Sequence, residues 1–362
     1  MLRIGLIGAG EIAQTSHLPM LRNLPSLYEI IGITDVSPAL CRAVQARFGI
    51  ARVFDSPEAL IGSPDIDAVM VLTADPFHCE YTVKALEAGK HVFVEKPTAM
   101  NAADVRRMMA AERAGTAIAM VGYMRRYASP FLKAKELLAG DDRPVRYLRC
   151  RDIIREGDFY LGQTSHTYRA NDFADLPAGG AQRLAVMKRA QHSEGLGADA
   201  GDLQRNAYQM LLGLGCHTLS AVRELVGEPK EVVQVLTSGN GTHFVALLQY
   251  DGFIATYEMI NDQAVVEFDA AIEIFQGDRK LKIKYETPYL RFQPHCLEVI
   301  ESTQSDTKTT TYGPDYHDAF EAELRVFHDC AIHGKRPKTS LEDSLADLTL
   351  FEKMAKMVRS EG

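Results

Sequence analysis

From residue 3 to residue 122, short apolar runs alternate with amphipathic ones, and this alternation limits the fold more than any other feature of the chain. Residues 3–7, 28–35, 52–54, 67–73, 91–96 and 117–122 read as strands. Between them, residues 37–49, 76–89 and 101–115 have helical periodicity. Ser37-Pro38 opens the first of these and Gly49 closes it, Gly89 closes the second, and Asn101 stands as a cap for the third. Strands separated by helices in this way require a parallel sheet covered on both faces.

The first turn carries Gly8-Ala9-Gly10-Glu11-Ile12-Ala13 between a strand and a helix. Gly8 permits the tight turn and Gly10 lets backbone approach a pyrophosphate. Ala13 allows close packing of helix on strand, with Glu11 and Ile12 in the opening turn, where the helix amino terminus attracts phosphate. Asp35 ends the second strand 22 residues after Ala13, where a carboxylate accepts both adenosine-ribose hydroxyls and repels the extra phosphate of NADP. NAD is therefore the expected cofactor and NADP the alternative, with Arg42 one turn into the next helix to soften the preference.

The fifth strand ends in Glu95-Lys96-Pro97, an acid and a base at the strand edge where open parallel sheets collect their ligands. The order of GxGxxA, Asp35, "ALEAGKHVFVEKP" and "VGYMRRYASP", with "GLGCHTLSAVRELVGEP" and the closing "RPKTSLEDSLADL", resembles the Gfo/Idh/MocA family of sugar and cyclitol dehydrogenases over essentially the whole chain. The resemblance implies a Rossmann domain over residues 1–124 and an α+β domain over residues 125–362, with packing of the C-terminal helix back on the first domain as an alternative placement of that helix. The second domain is expected to carry an open, mostly antiparallel sheet, the substrate pocket and oligomer contacts. It further implies that Lys96 contacts nicotinamide ribose and substrate, and that Glu95 positions the cofactor or the lysine. Residues 73–78 read Thr-Ala-Asp-Pro-Phe-His where the family usually has Thr-Pro-Asn followed by a histidine, so Thr73 and His78 are expected beside the cofactor.

Beyond residue 126 the periodicity changes. Strands are expected at 145–155, 231–240, 243–252, 253–261, 270–278 and 279–286, with turns at Gly239-Asn240-Gly241, Asp251-Gly252 and Gly277-Asp278, and two helices close the chain. In the family's third motif an aspartate precedes a histidine by four residues and another follows it by three. Here those places hold Gly213, His217 and Ser220. Only the histidine remains, and it is expected to accept the hydroxyl proton from the start of a helix whose amino terminus keeps the ring neutral. A substitute carboxylate or hydroxyl donor is sought in the long polar stretch 160–208, with Asp199, Asp202, His166, Tyr168 and Arg169 as candidates. Arg125 and Arg126 resemble the family's arginine at the domain junction and are expected either to bind a substrate hydroxyl or carboxylate, or to form a structural ion pair linking the domains.

The remaining properties narrow the function class. A net charge of -8 with no basic stripe speaks against a nucleic-acid partner, and no apolar run is long enough to span a membrane. Six scattered cysteines without a CxxC pair suggest a reduced, cytoplasmic protein with neither metal site nor disulfides. The expected activity is NAD-dependent oxidation of a polyol, cyclitol or sugar derivative by a homodimer or homotetramer. Two alternatives stand beside it, glycoside cleavage by transient oxidation and elimination, and a non-catalytic NAD-binding sensor.

Overall fold

The computed structural model describes residues 1–169, 172 and 180–358. The chain forms two compact units. The first comprises Met1–Tyr123, Ser165–Ala198 and Glu323–Leu348; the second comprises Met124–Thr164, Asp199–Ala322 and the chain from Thr349 on.

In the first unit, β1 (Leu2–Ile7) leads into a π-helical turn (Ala13–His17) that continues as α1 (Leu18–Arg22). There follow β2 (Tyr28–Thr34), α2 (Pro38–Phe48), β3 (Arg52–Val53), α3 (Pro57–Ile61), β4 (Ala68–Val71), α4 (His78–Glu87), β5 (His91–Glu95), α5 (Ala102–Arg113) and β6 (Ala119–Gly122). The six strands are all parallel, in the order β3-β2-β1-β4-β5-β6. Val69, Met70 and Val71 on β4 and Val92, Phe93 and Val94 on β5 are fully buried on both faces, each such side chain contributing about 1.5–3 kcal/mol. The expected caps are in place. The Leu40 amide donates to Ser37 Oγ (3.0 Å) and the Asp104 amide to Asn101 Oδ1 (2.8 Å), while Gly49 ends α2 at φ 60°, and each cap is worth about 1 kcal/mol.

The residues from 323 to 348 complete this unit. The Tyr28 hydroxyl donates to Leu324 O, the Val121 amide donates to Thr339 O (2.8 Å), and Phe327 packs edge-on against Phe93.

The second unit contains α6 (Ser129–Ala139), β7 (Val145–Ile154) and α7 (Gly157–Thr164). After α8 (Gly180–Leu196), which belongs to the first unit, a single helical run crosses α9 (Asp202–Met210), a π-helical turn (Leu211–Gly215) and α10 (Cys216–Val226). Then come β8 (Glu231–Ser238), β9 (His243–Gln249), β10 (Ile254–Asn261), β11 (Asp269–Gln276), β12 (Arg279–Tyr285), β13 (His295–Ser302) and β14 (Thr307–Asp315), and the chain closes with α11 (Ala319–His333) and α12 (Leu341–Met357), whose residues 323–348 belong to the first unit. The eight strands are ordered β14-β13-β12-β11-β7-β10-β9-β8, antiparallel except for β7 beside β10. The turns at Gly239-Asn240-Gly241, Gly252 and Gly277 adopt positive φ, as hairpin connections require. Strands β13 and β14 lie beyond the six expected from sequence. β14 is an edge strand rich in threonine and largely exposed, so it lacks the apolar alternation that reveals a half-buried strand.

Candidate active site

The glycine turn lies at the carboxyl edge of β1. Gly8 has φ +108°, and a Cβ there would lie 2.5 Å from Leu72 O, so no side chain fits. A Cβ at Gly10 would meet nothing within 4 Å, leaving the backbone open to a phosphate group. Asp35 is fixed rather than floating, since the Ala9 amide donates to its Oδ2 (2.8 Å) and the Ser37 amide to its Oδ1 (3.0 Å). Further along the same sheet edge, among the described residues, the hydroxyl oxygens of Thr73 and Thr98 are buried without a hydrogen-bond partner. An open glycine turn, a held carboxylate and two orphaned hydroxyls fit a dinucleotide.

Glu95 and Lys96 are built into the end of β5, and the Lys96–Pro97 bond is cis. Glu95 is 4 % exposed, so it is not the surface ion pair that a Glu-Lys pair at a loop would ordinarily form. Its Oε1 lies 2.7 Å from His17 Nε2, and its Oε2 accepts the Lys96 amide at 2.9 Å. Burial alone would push this carboxyl up, but the hydrogen bond and charge from His17, with the nearby Lys96 charge, hold it below the usual carboxylate range. Glu95 is thus an internal strut that fixes the backbone of half-buried Lys96 against the helix of the glycine turn.

His17 was not legible as a site residue. Its only sequence signal is a histidine beside Leu18 on the apolar face of the first helix, which calls for a partner without naming one.

His78, expected beside the cofactor, is built into the sheet edge. It is 1 % exposed, with Nδ1 2.6 Å from Pro97 O and Nε2 3.0 Å from Thr73 O. The ring sits between the ends of β4 and β5, with each nitrogen facing a backbone carbonyl beside Thr73 or Lys96.

His166 and Tyr168, expected as substrate residues, are exposed and belong to the first unit, where their backbone is the attached part. Buried Gln14 accepts from the Tyr168 amide (2.8 Å) and donates to Tyr168 O (2.9 Å), while Arg47 donates to His166 O. Arg169 lies 3.9 Å from Glu11.

In the second unit, His217 is half-buried on α10, and the expectation that it starts a helix is corrected. Gly215 before α10 is itself helical (φ -58°, ψ -30°), so the run continues from α9 through the π-helical turn. There is no free amino terminus at His217 to disfavour its charged form. Gly213 lies inside that turn, and a Cβ built on it would meet nothing within 4 Å, so the missing carboxylate leaves open space. π-Helical turns are rare and concentrate at functional sites.

Beneath this helix lies a buried polar cluster. Arg125 Nη1 donates to Asp152 Oδ1 (2.5 Å) and Thr218 Oγ1 (2.7 Å), and the Tyr257 hydroxyl donates to Asp152 Oδ2 (3.1 Å). The Arg125 guanidinium also sits over the Tyr285 ring, and burial pushes both the Tyr257 and Tyr285 hydroxyls well above their ordinary range. Arg126 is 2 % exposed, with its Nε 2.5 Å from Glu224 Oε2. The ion pairs of Arg125 with Asp152 and of Arg126 with Glu224 each lie within the second unit, so neither is the domain-linking pair expected from sequence. Asp202 lies at the start of α9, with Gly201 as its N-cap.

Two family models match the chain. One, described as an oxidoreductase family with an NAD-binding Rossmann fold, covers residues 2–123, and the other, its C-terminal alpha/beta domain, covers residues 207–361. An inositol 2-dehydrogenase from Acidothermus cellulolyticus is 42% identical over 141 residues, 38% of this chain and 41% of that protein. One from Klebsiella pneumoniae is 37% identical over 152 residues, 41% of this chain and 45% of that protein. The chain therefore spans less than half the length of the curated relatives it matches. A 3-ketoreductase from Actinomadura kijaniata, solved with NADP and TDP-benzene, superposes with a TM-score of 0.74 at 21% identity, over 99% of this chain and 98% of that one. At that identity the likeness is one of fold.

Proposed function

The chain belongs to the Gfo/Idh/MocA family of oxidoreductases, and from that premise we propose that it is a dehydrogenase acting on a secondary alcohol of a sugar, cyclitol or sugar derivative, with NAD preferred to NADP. The observation that carries this reading is Lys96, anchored through Glu95 and His17 at the edge of the sheet whose first turn is shaped for a dinucleotide. The resemblance of about two fifths of the chain to inositol 2-dehydrogenases supports a cyclitol or polyol as substrate.

Bound NAD supplies the two-electron acceptor. Asp35 holds the adenosine ribose, and the open backbone at Gly10 admits the pyrophosphate. The Lys96 ammonium stabilises negative charge developing on the substrate oxygen, and His217 takes the hydroxyl proton, a task suited to a side chain with a reference pKa of about 6.5. With Gly213 in place of an acid, that turn of helix supplies no carboxylate to a substrate hydroxyl, and substrate choice rests on other residues.

A panel of polyols and sugars mixed with NAD is expected to give steady NADH formation with at least one member. Tight NAD binding with inertness toward every member would overturn the reading. Release of free sugar from glycosides by copurified NAD, with no NADH accumulating, would move the assignment to cleavage by transient oxidation and elimination, the reading that the open space at Gly213 favours.

The protein is further proposed to act in the cytoplasm as a homodimer or homotetramer. All six cysteines are free, as a reducing compartment keeps them. No helix among the described residues is long and apolar enough to cross a membrane. Leu236 and Val245, paired across β8 and β9, are 59% and 43% exposed, and Val233 on β8 and Ile254 on β10 are exposed as well, apolar side chains suited to a second copy of this sheet. Light scattering should report a mass of two or four chains, and Leu236→Glu should lower it; a monomeric mass at micromolar concentration would refute the assembly.

A further inference from the structure

We infer that Asp172, reaching the Rossmann unit from the inserted segment, is a second carboxylate that selects NAD against NADP. This deepens the proposed NAD preference and rests on the dinucleotide reading of that unit.

Asp172 lies 137 residues beyond Asp35 and outside both matched family models, which end at residue 123 and resume at residue 207. Its carboxylate nevertheless sits at the amino terminus of α2, next to Asp35. The Ser37 hydroxyl donates to Asp172 Oδ1, and the Ala39 amide donates to Oδ2 at 3.3 Å. The other amides of that first turn are engaged elsewhere. Ser37 N–H goes to Asp35, Leu40 N–H to Ser37 Oγ and Cys41 N–H to Ser37 O. The donors left for an outside anion, the Ala39 amide and the Ser37 hydroxyl, are thus both held by Asp172.

In a dinucleotide fold, the carboxylate ending the second strand takes the adenosine-ribose hydroxyls, and the 2′-phosphate of NADP lies beside it, where a nearby arginine accommodates it. Here the following helix offers such a place, with its amino-terminal amides and with Arg42, whose charge acts on Asp172. Asp172 fills it with the chain's own negative charge. A 2′-phosphate would have to displace that carboxylate or lie against two of them, whereas the 2′-hydroxyl of NAD needs only Asp35.

The segment that brings Asp172 there is secured separately. Gln14, 1% exposed, binds both the amide and the carbonyl of Tyr168, four residues earlier.

Calorimetric titration of NAD and NADP into the unaltered protein, Asp172→Ala and Asp172→Asn tests the inference. The unaltered protein should bind NAD more tightly. Asp172→Ala should tighten NADP about tenfold or more, the range of a like-charge contact removed near a phosphate, and leave NAD within about threefold. Asp172→Asn keeps the shape without the charge and should reproduce the gain, and the gap between NAD and NADP in the unaltered protein should narrow as salt rises. An unchanged ratio of the two affinities in both variants overturns the role of Asp172, and so does an equal change in both nucleotides, which would mark it as a tether only. Failure of the unaltered protein to bind either nucleotide overturns the dinucleotide reading itself, and this inference with it.

Discussion

Lys96→Ala is expected to lower turnover by about a hundred- to ten-thousand-fold, the span of a positioned acid, base or oxyanion-stabilising group, and to leave NAD affinity within a few-fold. The split follows from where the lysine stands. Its backbone is fixed by Glu95, which is fixed in turn by His17 on the helix of the glycine turn. Removing the side chain beyond Cβ leaves that frame, Gly8, Gly10 and Asp35 in place. Titration of NAD beside steady-state rates on the best polyol checks both halves. Full turnover in the variant would remove Lys96 from the mechanism. An unaltered protein that binds NAD tightly and turns over nothing would instead favour the sensor.

Arg125→Ala is expected to destabilise the second unit by about 3–5 kcal/mol, because it leaves the buried Asp152 carboxylate without its compensating charge. Asp152 and Thr218 are 0% exposed and Arg125 is 4% exposed, so water cannot readily replace the lost guanidinium. The Tyr257 hydroxyl would remain as a partner for one carboxylate oxygen, and the other would lose its ion pair at 2.5 Å. The double variant Arg125→Met with Asp152→Leu should recover most of the loss, since a buried pair replaced by apolar side chains of similar volume is commonly neutral. Urea unfolding followed by far-ultraviolet circular dichroism measures it. A midpoint for Arg125→Ala equal to that of the unaltered protein would refute the account. Activity should also fall, because Thr218, the second acceptor of Arg125, adjoins His217 on α10.

How well each part could be read in the chain depended on how local its cause was. Gly8, with its positive φ, and Ser37, Gly49 and Asn101, with their caps, act over a few residues, and each occupies its expected place. The hairpin turns around Asn240, Gly252 and Gly277 were legible for the same reason. His217 was misread at its local level. His217 was expected to start a helix, yet the helix runs on from α9 through Gly213 and Gly215 as a π-helical turn in which Leu211, Leu212 and Leu214 are buried. Arg125 and Arg126 look alike in sequence, and their buried partners, Asp152 and Glu224, lie 27 and 98 residues away. Strand β14 escaped notice because an exposed edge imposes no alternation.

By itself the sequence determined the parallel sheet, the glycine turn, Asp35 at the end of the second strand and the Glu-Lys-Pro edge, because each depends on backbone sterics or hydrophobic period within one strand-turn-helix unit. Only the tertiary structure decided that Glu95 leans on His17, that His78 sits between the carbonyls of Thr73 and Pro97, and that Asp172 stands beside Asp35. These pairings bring together residues up to 137 positions apart. Burying a charge or ring nitrogen makes a partner obligatory, while the path of the chain through the core chooses which residue that partner is.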